Sequence, residues 1–112
     1  MPMIEVTTTE DVSEKQAETI KRGLGSNIAI FNKPEVRVMV AIRGKAFMYF
    51  GGQPGPTAMI SLSLVGEQTE KAYMDYAKKA VETLTTALPQ IPKARIYVKY
   101  DTIVHKAWGG QF

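Results

Sequence analysis

Lys33-Pro34-Glu35-Val36-Arg37-Val38-Met39-Val40 and Ile91-Pro92-Lys93-Ala94-Arg95-Ile96-Tyr97-Val98 follow one pattern: a proline, a charged residue, a small or apolar residue, an arginine, then an apolar run. The two copies lie 58 positions apart. A second pair, Pro2-Met3-Ile4-Glu5-Val6 and Ala58-Met59-Ile60-Ser61-Leu62, lies 56 positions apart. The sequence therefore reads as an internal repeat, residues 1–50 and 56–105, with the helical part of the second copy two residues longer.

Around these anchors the hydrophobic period is two. In residues 36–43, Val36, Val38, Val40 and Ile42 share one face, and Arg37, Met39, Ala41 and Arg43 the other. Residues 58–65 and 94–101 alternate in the same way, and Ile4 and Val6 mark a shorter strand near the start. Between the strands the period changes to that of a helix. Ser13 and Gln16 form an S-x-x-Q capping box ahead of Ala17, Ile20, Leu24 and Ile28, although Gly23 and Gly25 each weaken a helix by about 1 kcal/mol relative to alanine. Residues 69–88 carry a second stripe of Tyr73, Ala77, Ala80, Val81, Leu84 and Leu88, stopped by Pro89 and Pro92.

Each copy is thus a β-α-β unit, whose right-handed crossover makes its two strands parallel. The expected fold class is α/β: one domain over residues 1–112, with duplicated β-α-β units forming a four-stranded mixed sheet and two helices on one face. The opposite face would carry Glu5, Arg37, Met39, Met59, Ser61, Ser63, Tyr97 and Lys99. That mixture is too polar for a dry core and too apolar for a monomer to leave bare, so self-association around a partly wet centre is expected.

Composition narrows the function. The 112 residues are 45% hydrophobic and 22% charged, as in globular proteins, and no apolar run approaches the ~18 residues of a membrane span. No signal peptide is recognisable, so a cytoplasmic location is expected, with release lacking a signal peptide left open. The absence of cysteine excludes disulfides, thiolate nucleophiles and zinc-thiolate sites. Fourteen basic against eleven acidic residues give a net charge of only +3, and the basic residues are scattered, which argues against nucleic acid. His105, the single histidine, has no nucleophile motif beside it. Gly51-Gly52 and Gly109-Gly110 lack the spacing of phosphate-binding loops and suit turns better.

Pro2 stands apart from these. Removal of the initiator methionine before a small residue would leave the proline nitrogen as the α-amino group, whose ordinary pKa is about 7.7–8.0. Apolar burial and a nearby cation such as Lys33 would disfavour the protonated form and yield a neutral base near pH 7.

Met1-Pro2 before a short strand, Asn32-Lys33-Pro34, Phe50-Gly51-Gly52, Ser61-Leu62-Ser63-Leu64-Val65-Gly66, Arg95-Ile96-Tyr97 and a terminal Trp108 to Phe112 occur in that order. Together they resemble the macrophage migration inhibitory factor family of the tautomerase superfamily over the whole chain. The resemblance implies a homotrimer whose sheets surround a solvent channel. It also implies keto-enol tautomerase activity of the phenylpyruvate or dopachrome type on a small enolisable keto acid, with no metal or organic cofactor. The alternative within the same fold is a trimeric, cytokine-like interaction or ligand-binding protein with little turnover.

Carried over residue by residue, Pro2 is the catalytic base and Lys33 binds the substrate carboxylate or polarises the enolate. The Val65 backbone contacts substrate, Tyr97 comes from a neighbouring subunit, and Trp108 and Phe112 form an aromatic lip. Lys99, Arg37 and Lys106 stand where the vertebrate pattern has asparagine, tyrosine and valine, so the pocket would differ in charge. The vertebrate Cys-x-x-Cys segment is here Thr57-Ala58-Met59-Ile60, without thiols.

Overall fold

The computed structural model describes residues 2–110. Strand β1 (Met3–Thr8) leads through helix α1 (Glu14–Ser26) and a 3-10 stretch (Asn27–Phe31) to β2 (Met39–Arg43). Strand β3 (Ala58–Val65), helix α2 (Glu70–Ala87) and β4 (Ile96–Ile103) repeat the arrangement. The sheet order is β2-β1-β3-β4. The pairs β1/β2 and β3/β4 are parallel, and β1/β3, which joins the two units, is antiparallel. This is the mixed sheet the duplication implied.

The first helix starts where its capping box lies: the Ser13 hydroxyl accepts from the Gln16 N–H at 3.1 Å, and the Gln16 side chain accepts from the Ser13 N–H at 2.9 Å. Thr69 caps α2 by accepting from the Ala72 N–H. Ile20, Leu24 and Ile28 from the first unit meet Tyr76, Ala80, Leu84 and Leu88 from the second over Ile4, Val6, Ile60, Leu62 and Leu64 of the central strands. Ile28 belongs to the 3-10 stretch, which also delivers Phe31 to the core. Gly23 explains itself in this packing, because a Cβ there would lie 2.4 Å from the Thr83 methyl of α2. The close approach of the helices needs glycine at that position.

Three expectations require correction. Strand β2 begins at Met39 and β4 at Ile96, not at residues 36 and 94. After each proline the chain makes one 3-10 turn, Glu35–Arg37 and Lys93–Arg95, closed by Arg37 N–H to Pro34 O and Arg95 N–H to Pro92 O. Val36 is consequently 86% exposed rather than in the core, and Arg37 sits in the turn rather than on the strand face. The apolar-polar alternation of Val36 and Arg37 is in the sequence only, because a 3-10 turn has three residues per turn and leaves Glu35, Val36 and Arg37 all exposed. The third correction is Tyr76, absent from the expected stripe of α2 yet fully buried. Its hydroxyl donates to the Leu24 carbonyl at 2.8 Å, which satisfies the one polar group that made the residue look unsuited to a core.

The sheet face away from the helices remains bare in the single chain: Met39, Met59, Tyr97, Glu5 and Lys99 are exposed. Residues 45–50 do not extend β2. Phe47 is 96% exposed, and Phe50 exchanges two backbone hydrogen bonds with Gln53 around Gly51 and Gly52. Both glycines have positive φ (58° and 78°), the geometry of a type I′ hairpin turn. No helix among the described residues is long and apolar enough to cross a membrane.

Candidate active site

Pro2 directly precedes β1 and is buried. Its carbonyl accepts from the Met39 N–H at 3.1 Å, which continues the parallel β1/β2 ladder by one step and fixes the start of the chain against β2. Beside it opens a cavity of about 660 Å³. One wall is the turn and the start of β2, from Val36 to Met39; the floor is Met3 and Ser63, neighbours in the β1/β3 register. Ile103, Ala107, Trp108, Gly109 and Gly110 close the other side.

That closing segment is folded back by a 3-10 turn, His105–Ala107, with Ala107 N–H donating to Val104 O and Trp108 N–H to His105 O. The turn follows directly from β4, whose last residue Ile103 pairs with Val65 and accepts from the Gly66 N–H at 3.1 Å. Arg37 is the charged side chain among the described lining residues, which include no carboxylate. An apolar chamber with one cation suits an anionic ligand and disfavours protonation of a buried amine.

Of the residues expected from sequence, Pro2, Arg37 and Trp108 come together on this cavity. Lys106 is exposed in the turn that carries Ala107 and Trp108 into the lining. Lys33 is half-buried, one residue beyond Asn32, whose left-handed φ of 56° redirects the chain; Lys33 and Val65 do not line the cavity of the single chain. Tyr97 and Lys99 lie elsewhere. Tyr97 pairs with Met59 whereas Met3 pairs with Ser63, a separation of four residues along β3, or roughly 13 Å. Tyr97 is 65% exposed and packs edge-on to Phe50, with ring centroids 5.2 Å apart. Lys99 forms an ion pair with Asp101 at 3.0 Å. Phe112 lies outside the described residues.

Met3, Ser63, Met39 and Ile103 were not expected as site residues. A signal existed for three of them, since Met3, Met39 and Ser63 are in register on the bare face. Which end of that face becomes a cavity depends on the return of the segment after β4, and strand alternation does not encode it.

Two parallel β-α-β units are thus joined antiparallel at their centre, with a cavity where the first strand begins. The sequence model described as Macrophage migration inhibitory factor (MIF) matches residues 1–110, and the chain belongs to that family. A curated relative, D-dopachrome decarboxylase of Bos taurus, is 29% identical over 101 residues, covering 89% of this chain and 85% of the relative. The crystal structure of Leishmania major MIF2 superposes with a TM-score of 0.89 at 24% identity, over 98% of this chain and 95% of that one. A further structure, of a protein inactivated by 2-oxo-3-pentynoate, aligns with a TM-score of 0.83 at 16% identity, over 96% and 90% of the two chains.

Proposed function

We propose that the protein is a cofactor-independent keto-enol tautomerase that acts, as a homotrimer, on a small enolisable 2-keto acid of the phenylpyruvate type. The observation that carries this reading is the burial of Pro2 at the edge of an apolar cavity whose described lining holds a cation and no carboxylate. Once Met1 is removed, the Pro2 nitrogen is a secondary amine. Burial and the positive charge of Arg37 both favour its neutral form, which is the form able to accept a proton.

The neutral amine takes a proton from the carbon next to the keto group. The C–H electron pair becomes the new C=C bond, and the carbonyl oxygen acquires the negative charge. A cation must face that oxygen or the adjoining carboxylate, and Lys33 is the residue proposed for this role. The ammonium form of Pro2 then returns the proton, to oxygen in one direction and to carbon in the other. The curated bovine relative is named for D-dopachrome, and one structural neighbour is inactivated by a 2-oxo acid, both of which suit this chemistry.

The trimer is proposed because the site is incomplete in one chain. Tyr97 is too far along the sheet to reach its own Pro2 and Lys99 is paired with Asp101 outside the cavity, so both are proposed to serve a neighbouring chain. Exposed Phe47, Tyr49 and Met39 supply apolar surface for such a contact. Val65, Lys106 and Phe112 are proposed as substrate contacts on the family resemblance.

Interconversion of enol and keto phenylpyruvate, followed by ultraviolet absorbance, tests the activity, and sedimentation equilibrium tests for three chains per particle. A stable monomer at micromolar concentration sinks the shared pocket. A trimer that binds keto acids without turning them over leaves the ligand-binding alternative, which the position of Lys33 outside the single-chain cavity favours.

A further inference from the structure

We infer that Arg37 receives a second anionic group of the substrate, so that the Pro2 cavity is matched to enolisable 2-keto acids carrying a second carboxylate. The inference deepens the tautomerase reading and rests on it.

Three observations lead to Arg37. First, it is the charged side chain of the lining, and the walls around it are Met3, Val36, Val38, Met39, Ile103 and Trp108. Second, its backbone is tied to the same frame as Pro2. The Glu35–Arg37 turn is closed by Val38 N–H to Glu35 O at 2.9 Å, and the next residue, Met39, bonds the Pro2 carbonyl. The cation and the proposed base therefore hold a defined relation.

Third, its guanidinium has no salt-bridge partner among the described residues. Glu35, the acid of the same turn, turns its carboxylate to Gly25, where a Cβ would lie 2.7 Å from Glu35 Oε2. Two cations of the second repeat, by contrast, are occupied. Arg95 donates to the Gln53, Gly55 and Pro56 carbonyls and to the Thr57 hydroxyl, and Lys99 pairs with Asp101. An unoccupied planar fork at the wall of an apolar cavity fits a carboxylate in bidentate fashion. A monocarboxylate whose carboxylate is held by another cation would leave Arg37 without a counter-charge.

The test compares kcat/KM for the enols of oxaloacetate and phenylpyruvate in the assembled wild type and in Arg37→Gln and Arg37→Lys. The expected result is that Arg37→Gln lowers the dicarboxylate-to-monocarboxylate ratio about ten- to hundredfold, while Arg37→Lys, which keeps the charge but loses the fork, lowers it less. A ratio that stays within twofold of wild type in Arg37→Gln overturns the inference, as does an equal fall for both substrates. A wild type that turns over neither enol defeats the tautomerase reading separately. Calorimetric binding of glutarate and butyrate then decides the role of Arg37. A preference for glutarate that Arg37→Gln abolishes supports it, and equal affinities in wild type overturn it.

Discussion

Met39 holds Pro2 through the backbone alone: its N–H donates to the Pro2 carbonyl at 3.1 Å, so the anchor does not depend on the identity of residue 2. Pro2→Gly keeps both this bond and, after methionine removal, a basic amine. It should therefore retain measurable tautomerase activity. Keeping Met1, or adding any N-terminal tag, converts the nitrogen into an amide without a basic lone pair, and activity should fall by about 10² to 10⁴. A tagged protein as fast as the processed one eliminates Pro2 as the base.

Lys33→Ala should reduce kcat/KM for phenylpyruvate enol about ten- to hundredfold, the range of a lost hydrogen bond to a charged group of about 1.5–3 kcal/mol. Because Lys33 lies outside the cavity of one chain, the effect should appear only in the assembled protein. Steady-state kinetics at matched protein concentration check it, and an unchanged value returns Lys33 to the surface.

Gly23→Ala normally favours a helix by about 1 kcal/mol, but here the new methyl meets the Thr83 side chain, including its Cβ at 3.0 Å. Thr83 is β-branched and cannot swing aside freely, so overpacking should win and destabilise the protein by about 1–3 kcal/mol. Adding Thr83→Ala should restore most of the loss. Urea denaturation of the single and double variants measures this coupling, and strict additivity contradicts it.

Burial raises the pKa of the Tyr76 hydroxyl well above its ordinary value, with Tyr100 nearby adding to the rise, and burial does the same to Tyr100 beside Tyr73. A native state that holds these protons more tightly than the unfolded chain keeps their stabilisation whole below the unfolded pKa of about 10. The stabilisation is lost as pH rises beyond it. Urea midpoints should therefore decline above about pH 10. Tyr76→Phe removes the bond to Leu24 O and should cost about 1–2 kcal/mol at pH 7, while making the alkaline decline shallower. The same slope in both proteins would exclude Tyr76 as its source.

The Arg95 guanidinium ties the Gln53, Gly55 and Pro56 carbonyls and the Thr57 hydroxyl together and stacks over Phe50 at 5.6 Å. Phe50 in turn supports Tyr97. Arg95→Ala should lower stability by about 1.5–3 kcal/mol, and Arg95→Lys should recover only part, since an ammonium cannot reproduce the fork. A loss under about 0.5 kcal/mol in thermal or urea melts would show that the Gly51-Gly52 turn holds the loop without Arg95.

The repeated Pro-charged-small-Arg pattern, the capping box at Ser13 and Gln16, and the alternation of β1 and β3 are local features. They determine a duplicated β-α-β chain and its sheet because period, caps and turn residues act over a few neighbouring positions. The strand starts at Met39 and Ile96 escaped the pattern, since the sequence alternation runs unbroken through the 3-10 turn that follows each proline. The burial of Tyr76 depended on a carbonyl 52 residues away, at Leu24. The cavity itself is wholly tertiary: Pro2, Arg37 and Trp108 are far apart in sequence, and they meet only because β2 pairs parallel with β1 and the segment after β4 folds back. The resemblance to the family was carried by short motifs in order along the chain, such as Asn32-Lys33-Pro34 and Arg95-Ile96-Tyr97. The juxtaposition of a free cation and Pro2 in one apolar chamber was decided by long-range pairing, which no local period records.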